Sequence, residues 1–291
     1  MFTLAHLSDP HLAPMRSPRM PELFSKRGLG YINWLRKRRS IHRADMLAAL
    51  VADLKSRAPD HIAVGGDLVN LSLIFEFARA RDWLAGLGNP RDVTVVPGNH
   101  DAYVRSAEKL AEQHWADFMR GDDGESFPFV RKRGPVALIG LSTSLPTLPL
   151  AATGRLHGDQ LARLGELLAR LKREQLFRVV MIHHPPFAGA NYFRRLTDAA
   201  AVRDVLAEHG AELVLHGHHH EASLHWLPGA PHRIPVVGVP SASGAAGHHD
   251  DPAGYNLYEI EGAWGAWRCT AVSRGWRDGG FGEINRQALF V

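Results

Sequence analysis

Strand-like and helical segments alternate along most of this sequence. A short apolar segment at Phe2–Ser8 precedes a helical pattern at Ala44–Arg57, a strand-like segment at His61–Gly65 and a helical pattern at Leu73–Leu87. Towards the carboxyl end, strand-like segments instead follow one another through Gly- and Pro-rich turns. This order predicts an α/β protein with a mixed sheet or with two packed sheets. Because no Pro-, Gly- and Ser-rich linker divides the chain, residues 1–291 are interpreted as one domain.

Two other predicted elements lie in the middle and near the end of the chain. A helix is predicted over Ala107–Met119, where apolar residues recur at helical spacing. The last predicted strand is Ala266–Thr270. The segment Arg16–Arg43 has two prolines in its first half and is interpreted as irregular.

Polar clusters directly follow five of the predicted strands. Open α/β sheets bind their ligands beyond the carboxyl ends of the strands, so clusters that are far apart in sequence can meet there. The clusters are SDPH with Asp9 and His11, GGDLVN with Asp67 and Asn70, PGNHD with Asn99, His100 and Asp101, HHPP with His183 and His184, and HGHHH with His218, His219 and His220.

The residue types in these clusters predict a metal site. Carboxylate, imidazole and amide groups without sulfur suit Mn, Fe, Zn or Co. The candidate ligands exceed the four of a closed zinc site, which indicates two ions, and the two oxygens of Asp67 could bridge them. Two such ions suit phosphoester cleavage. Taken singly, each cluster also has a structural interpretation as turn residues or as a helix cap.

The five clusters, in this order, resemble the calcineurin-like metallophosphoesterase superfamily. Their spacing is most similar to that of its bacterial cyclic-nucleotide and glycerophosphodiester phosphodiesterase branch, and they extend from Asp9 to His220. The resemblance implies an α/β fold with a four-layer αββα sandwich of two mixed β-sheets flanked by helices. It also implies a metal-dependent phosphodiesterase in which a metal-bridging hydroxide attacks phosphorus.

The resemblance further implies individual roles for the clustered residues. Two divalent ions, Mn, Fe or Zn, are expected, and His100 would stabilise the transition state or protonate the leaving oxygen. His184 and His219 are expected to contact the substrate, a phosphodiester or nucleotide-type small molecule, or to support the metal ligands by hydrogen bonding. Arg38, which belongs to the basic insertion described below rather than to the clusters, is also expected to contact the substrate. Asn70 stands where many relatives have an acid, and it is expected to orient a ligand. One ion would be held by Asp9, His11, Asp67 and His220, and the other by Asp67, Asn99, His183 and His218.

Positive charge is concentrated in one segment. The chain has 34 Lys and Arg against 30 Asp and Glu, a net charge of +4. Nine of these cations and one acid, Glu22, lie between Arg16 and Arg43, which leaves 25 cations and 29 acids elsewhere. A protein that coats nucleic acid with a uniformly basic surface is therefore excluded, and nucleic-acid binding is disfavoured. We interpret residues 14–43 as a basic insertion.

The insertion allows several roles. Tyr31, Trp34, Leu35 and Arg38 have helical spacing, and cations surround them. The segment is expected to be a loop that packs Trp34 and Leu35 onto the body, a lid for a phosphorylated substrate, or, over 16–43, a helix at an anionic membrane surface. It loosely resembles the insertion of enzymes that cleave UDP-2,3-diacylglucosamine in lipid A synthesis, which gives a second functional hypothesis. A nuclease and a catalytically silent scaffold are weaker alternatives.

Other features favour ordinary interpretations. No secretory signal or membrane-spanning segment is visible, so the expected location is the cytoplasm or the inner face of the membrane. The single cysteine, Cys269, excludes an intramolecular disulfide framework. His42 and the remaining histidines are expected to be surface or packed residues. The loop with His248, His249, Asp250 and Asp251 is expected to form a turn or the mouth of the site.

Overall fold

The computed structural model describes residues 1–187, 191–230, 232–246 and 251–290. Its strands are β1 (Phe2–Leu7), β2 (His61–Val64), β3 (Val93–Val95), β4 (Phe129–Arg133), β5 (Val136–Gly140), β6 (Phe177–Met181), β7 (Leu213–His216), β8 (Ser223–Leu227), β9 (Ile234–Gly238), β10 (Gly254–Glu261), β11 (Arg268–Arg277) and β12 (Gly280–Phe290). Its α-helices are α1 (Lys26–Asn33), α2 (Arg39–Ile41), α3 (Ala44–Ser56), α4 (Ile74–Leu87), α5 (Leu110–Trp115), α6 (Gly158–Arg173) and α7 (Ala199–His209).

The first sheet has the strand order β12-β11-β10-β1-β2-β3. Strands β1, β2 and β3 run parallel, and β10, β11 and β12 extend the sheet in antiparallel fashion. Parallel neighbours need a crossover connection, and α3 and α4 supply it here. Their apolar side chains, such as Leu50 and Phe77, pack with Leu7 and Val64 on the outer face of the sheet.

The second sheet has the order β4-β5-β6-β7-β9-β8. Its four central strands are parallel, and the two edge strands pair antiparallel. Helix α6 lies between β5 and β6 in sequence, and α7 lies between β6 and β7. Leu168 of α6 and Leu206 of α7 pack with Ile139 and Val214 on the outer face of this sheet.

A third apolar cluster fills the space between the two sheets. Leu4 and Tyr258 of the first sheet contribute to it together with Leu138 and Leu215 of the second. Strand β1 shows the two-residue period that this arrangement needs, because Leu4 faces the other sheet while Leu7 belongs to the outer cluster. The architecture is an αββα sandwich of two mixed six-stranded sheets, which confirms the prediction.

The basic insertion is more ordered than its sequence indicates. Helix α1, a π-helical turn at Trp34–Arg38 and α2 follow one another, so the interpretation of 16–43 as irregular is wrong for this part. Trp34 is 6% exposed and packs with Met15 and Leu71, whereas Leu35 is 48% exposed. Among the described residues, no helix combines the length and apolar composition that crossing a bilayer requires.

Two other predictions differ from the structure. The helix predicted over Ala107–Met119 is divided into a 3-10 turn, α5 and a second 3-10 turn. Trp115 is fully buried near its centre and donates its indole N–H to the carbonyl of Phe77 at 3.0 Å, so packing on α4 fixes this segment. At the carboxyl end, β11 is longer than predicted, and β12 was not predicted at all.

Candidate metal centre

The loops that follow β1, β2 and β3 in the first sheet meet the loops that follow β6 and β7 in the second. The backbone N–H of His218 donates to Asp9 Oδ2 at 3.0 Å, and His183 Nδ1 lies 2.6 Å from the carbonyl of Gly65. Each contact joins one sheet to the other. The carboxyl ends of both parallel strand sets therefore form a single site.

Asp67 lies at the centre of this site. Its Oδ2 is 3.8 Å from His11 Nε2 and 3.5 Å from His183 Nε2. Its Oδ1 accepts a hydrogen bond from the backbone N–H of His100 at 2.7 Å. One carboxylate is thus placed between two imidazoles that come from different sheets.

The remaining candidate ligands lie on either side of Asp67. On one side, His220 Nε2 is 3.2 Å from Asp9 Oδ1 and 3.4 Å from His11 Nε2. On the other side, Asn99 Oδ1 is 3.3 Å from His183 Nε2, and a ring nitrogen of His218 lies within 4.8 Å of one on His183. The structure therefore brings together the seven side chains predicted as metal ligands.

Hydrogen bonds to backbone carbonyls set the orientation of the histidines. His11 Nδ1 lies 3.1 Å from the carbonyl of Val69, and His183 Nδ1 has the equivalent contact with Gly65. A carbonyl can only accept, so each Nδ1 carries a proton, and each Nε2 is directed to the site, where it can bind a metal ion once it is deprotonated. In His218 the roles are reversed, because its Nε2 lies 2.8 Å from the carbonyl of Arg194.

The backbone at the site adopts a conformation that is uncommon for residues other than glycine. A positive φ costs free energy in such residues and is often found at functional sites. Five candidate ligands have it: Asp9 (φ 53°), His11 (36°), Asp67 (55°), His218 (72°) and His220 (61°).

The electrostatics of the site suit cations. Asp9 is fully buried and Asp67 is 2% exposed, so two carboxylates share one poorly solvated position. Burial by itself would lower the pKa of His183, but Asp67 and Asp9 outweigh it and raise that pKa to about 9. Positive charge is therefore stabilised between the carboxylates. Together with the nitrogen and oxygen donors, this fits divalent metal ions.

Asp101 links the loop that follows β2 to the loop that follows β3. Its carboxylate accepts hydrogen bonds from the backbone N–H groups of Asp67 (2.8 Å), Leu68 (2.9 Å), Val69 (3.2 Å) and Gly98 (2.9 Å). Burial and the neighbouring Asp67 raise the pKa of Asp101 above its usual range. The PGNHD motif contains this residue, but the sequence assigned it no role of its own.

A cavity of about 450 Å³ opens onto the candidate ligands. Arg38, predicted to contact the substrate, and His100, predicted to be catalytic, both line it. Arg38 Nη1 lies 3.3 Å from His100 Nδ1. The walls also contain residues that no sequence motif marks as functional. The lining comprises Asn33, Lys37, Arg38, Ile41, His42, Asp67, Asn99, His100, Ala152, Arg194, His218 and His220.

His100 is held in one orientation within the cavity wall. Its Nδ1 donates to the carbonyl of Asn70 at 2.6 Å, and its ring stacks on Tyr103 with centroids 5.3 Å apart. Burial, followed by the charge of Arg38, lowers the pKa of His100 to about 3. Asn70 therefore positions His100 through its backbone, while its own side-chain Nδ2 donates to the carbonyl of Leu12 at 3.3 Å.

His184 and His219 do not line this cavity, and their predicted substrate contacts stay predictions. His184 is fully buried, with Nδ1 2.7 Å from Thr143 Oγ1 and Nε2 3.3 Å from the carbonyl of Ala152. His219 packs near Phe187, with ring centroids 5.6 Å apart.

The loop with His248, His249, Asp250 and Asp251 is predicted to form a turn or the mouth of the site. Residues 248–250, which include the predicted turn histidines, lie outside the described residues. Asp251 is described, and its carboxylate accepts a hydrogen bond from the backbone of Ala222 at 2.8 Å.

His42 departs from its sequence-based interpretation as an ordinary residue. It is 3% exposed, and its ring centroid lies 4.4 Å from that of His11 and 5.7 Å from that of His220. Burial, followed by the charge of Arg38, holds the pKa of His42 well below its ordinary value. Its position in the basic insertion gave no signal for this placement.

Comparison with known proteins also indicates a phosphoesterase. Residues 2–222 match the family model described as calcineurin-like phosphoesterase. A protein from Synechococcus sp., named as a probable cyclic nucleotide phosphodiesterase, is 31% identical over 225 residues, which are 76% of this chain and 79% of that protein.

Solved structures with low sequence identity share the fold. A dimetal phosphatase from Danio rerio has a TM-score of 0.65 at 15% identity, with 99% of this chain and 98% of that chain covered. The purple acid phosphatase PPD1 from yellow lupin has a TM-score of 0.59 at 11% identity, with 99% and 53% covered. With the family match across most of its length, the chain belongs to the calcineurin-like phosphoesterase family and is a hydrolase that acts on phosphate esters.

Proposed function

We propose that this chain hydrolyses a small phosphodiester of the nucleotide type with the help of two divalent metal ions. The observation that carries the proposal is the position of the Asp67 carboxylate, between the Nε2 atoms of His11 and His183. The name of the Synechococcus relative supports a cyclic nucleotide as the first substrate to test.

The proposed ligands form two sets that share Asp67, one on each side of its carboxylate. Bound divalent cations at such a site supply a nucleophile from water at neutral pH and neutralise charge that develops on the phosphate. The donor types allow Mn, Fe or Zn. One ion would be held by Asp9, His11, Asp67 and His220, and the other by Asp67, Asn99, His183 and His218.

The other residues of the cavity would position the substrate. Arg38, Lys37 and Arg194 place three cations in the walls, and these would bind phosphate oxygens that the metal ions leave free. His100, held by the carbonyl of Asn70, would lie beside the leaving oxygen. A cavity of about 450 Å³ has the size of a small-molecule site.

A substrate panel with defined metal content tests the proposal. The protein would be stripped with EDTA, reloaded with Mn²⁺, Fe²⁺ or Zn²⁺, and assayed with 3′,5′-cyclic AMP, a glycerophosphodiester, bis(p-nitrophenyl) phosphate and p-nitrophenyl phosphate. We expect hydrolysis of diesters that depends on added metal. Asp67→Ala should lose both bound ions and activity, whereas Asp45→Asn, which changes an exposed carboxylate, should retain both. Full activity in metal-free Asp67→Ala would contradict the proposal.

A second candidate is a lipid-linked diphosphate ester such as UDP-2,3-diacylglucosamine, reached at a membrane surface. The specific observation is that the insertion exposes large apolar side chains while its neighbours Asn33 and Lys37 line the cavity. Apolar and cationic side chains on one segment suit binding to an anionic interface. This candidate implies a location at the inner face of the cytoplasmic membrane. The exposed residues are Met20 (72%), Phe24 (78%), Leu29 (55%), Ile32 (46%) and Leu35 (48%).

Vesicle binding distinguishes the two candidates. We expect the second candidate to co-sediment with vesicles that contain anionic phospholipid and to hydrolyse UDP-2,3-diacylglucosamine. The double variant Phe24→Ser/Leu29→Ser should then lose binding, while Ile74→Ser, which removes an exposed apolar residue outside the insertion, should retain it. Wild-type protein that stays in the supernatant at low salt would exclude the membrane candidate and leave the small diester.

A further inference from the structure

His42 enters the metal centre from the basic insertion rather than from a strand end of either sheet. Residues on both sides of it are fixed to the loop that follows β9. The backbone N–H of Arg43 donates to the carbonyl of Ser243 at 2.9 Å, and that of Ala245 donates to the carbonyl of Ile41 at 2.8 Å. His42 itself forms an antiparallel bridge with Gly244. These contacts attach the backbone at His42 to the loop that follows β9.

The side chain of His42 is held by two serines of the same loop. Its Nδ1 lies 2.9 Å from Ser243 Oγ and 3.4 Å from Ser241 Oγ. Ser241 Oγ in turn donates to the backbone carbonyl of Asp9 at 2.7 Å. Metal-binding histidines usually have one ring nitrogen engaged in this way by an outer partner. The arrangement links the ring of His42 to the backbone of a candidate ligand.

The ring of His42 lies against two of the candidate ligands. A ring nitrogen of His42, one of His11 and one of His220 all lie within 4.8 Å of one another. Within the described part of the chain, His42 Nε2 has no hydrogen-bond partner, and the residue lines the cavity. Because this nitrogen is not one of the fully buried unpaired atoms, it is accessible from the cavity and free to bind an ion.

We propose that His42 is a further ligand of the metal ion held by Asp9, His11, Asp67 and His220. This inference rests on the proposed function and extends it, since it makes the basic insertion a structural part of the metal centre. Three imidazoles would then converge on one ion, against the two expected from the strand-end clusters. The other ion, on the side of His183, has no such additional imidazole from the insertion.

Metal binding by His42 variants tests this assignment without relying on activity. His42→Ala removes the imidazole, and His42→Gln retains a polar side chain of similar reach in case the alanine variant does not fold. His225→Ala, which removes an exposed histidine that belongs to none of the candidate ligand groups, is the matched control. Stoichiometry would be measured by elemental analysis, and affinity by chelator competition. Co²⁺-loaded protein would be studied by proton NMR, where each bound imidazole N–H gives a shifted, exchangeable resonance.

The expected result is asymmetric. Loss of an outer partner of a metal ligand lowers metal affinity about 10–100-fold. Loss of a direct ligand should therefore lower the affinity for one of the two ions by at least about tenfold and leave the affinity for the other ion unchanged. The Co²⁺ spectrum should lose one exchangeable resonance in His42→Ala and His42→Gln. The His225→Ala spectrum should match that of the wild type.

Three outcomes would overturn the assignment. Unchanged affinity and an unchanged spectrum in both His42 variants would remove His42 from the metal while the proposed function stands. Unchanged metal binding with a raised KM for the diester would make His42 a substrate contact instead. Wild-type protein that binds no divalent ion would overturn both the assignment and the proposed function.

Discussion

Gly98 shows how closely the backbone approaches the chemistry of the site. A Cβ atom at this position would lie 2.7 Å from the backbone nitrogen of Asp67 and closer still to its Oδ1. Real Cβ atoms do not tolerate such contacts, so a side chain here must displace the Asp67 carboxylate. The glycine of the PGNHD motif is therefore required by the space around it.

Gly98→Ala is expected to weaken metal binding by at least about tenfold, because a ligand displaced by a fraction of an ångström loses its geometry. Chelator competition and thermal unfolding measure the effect. Gly86→Ala provides the control, since a Cβ at Gly86 meets no atom within 4 Å, and alanine in a helix is favoured over glycine by about 0.5–1 kcal/mol. Equal metal affinity in the two variants would show that Asp67 tolerates displacement.

His100→Ala separates metal binding from turnover. Asp67 is contacted by the backbone N–H of His100, which alanine retains, so both ions should still bind. Turnover on a diester should fall by about 10²–10⁴-fold if the imidazole assists the leaving oxygen. Tyr103→Phe, which keeps the ring that stacks on His100, should change kcat little. An unchanged kcat in His100→Ala would remove this residue from the catalytic set.

At the scale of elements, helix α3 is joined to the antiparallel part of the first sheet by one carboxylate. Asp53 accepts two hydrogen bonds from Arg274 of β11, both at 2.8 Å, and one from Tyr255 of β10 at 2.6 Å. Its side chain is 12% exposed and that of Arg274 is 7% exposed. Burial opposes ionisation, but these partners outweigh it and lower the pKa of Asp53.

Asp53→Asn should reduce the free energy of unfolding by about 1–3 kcal/mol, because a nearly buried guanidinium loses its counter-charge. The folded-state pKa of Asp53 lies below the unfolded value of about 3.9, so its stabilisation is present above that pH and is lost as the pH falls through the folded-state pKa. Denaturant unfolding should therefore show a constant difference from wild type at neutral pH that shrinks below about pH 4.

Asp45→Asn is the matched control on the same helix, because its carboxylate is exposed and pairs only with the exposed Arg43. It should change stability much less than Asp53→Asn does. If the difference in unfolding free energy between Asp53→Asn and wild type grew on acidification, the Asp53 carboxylate would not be the stabilising form.

The elements that the sequence predicted well are those with a simple period. Helix α6 and the buried strands carry their apolar residues at helical or strand spacing, and each was found within a few residues of its predicted bounds. The segment Ala107–Met119 also has helical spacing, but burial of Trp115 under Phe77 divides it. Strand β12 begins after Asp278 and Gly279, both at positive φ, and this Asp-Gly pair is a typical sequence signal of a hairpin turn.

At the largest scale, the residues of the candidate metal centre come from both sheets. Asp9 and Asp67 belong to the first sheet and His183 and His218 to the second, so ions bound between them would add links across the sandwich. Ligands that bind only the folded state stabilise it by about 2.7 kcal/mol at a concentration of 100 Kd. Bound ions should therefore raise the melting temperature of the entire domain.

EDTA treatment is expected to lower Tm by about 5–10 °C, and added Mn²⁺ should restore it, if the ions bind with such affinity. Scanning calorimetry measures the shift. Asp67→Ala should melt at the same temperature with and without chelator, because its shared ligand is gone. A chelator effect of equal size in Asp67→Ala would place the stabilising ions elsewhere.

Local patterns in the sequence sufficed for two properties of this protein: the order of most of its helices and strands, and the identity of the polar clusters at the strand ends. The carboxyl ends of parallel strands meet at one edge of a sheet, which explains why Asp9 and Asp67 lie together, whereas their contact with His183 depends on how the two sheets pack. The positions of His42, Arg38 and Asp101 also depend on the tertiary structure. Their roles come from contacts across the fold, with His42 fixed by Ser243 two hundred and one residues away, and no periodicity or local motif encodes such a contact.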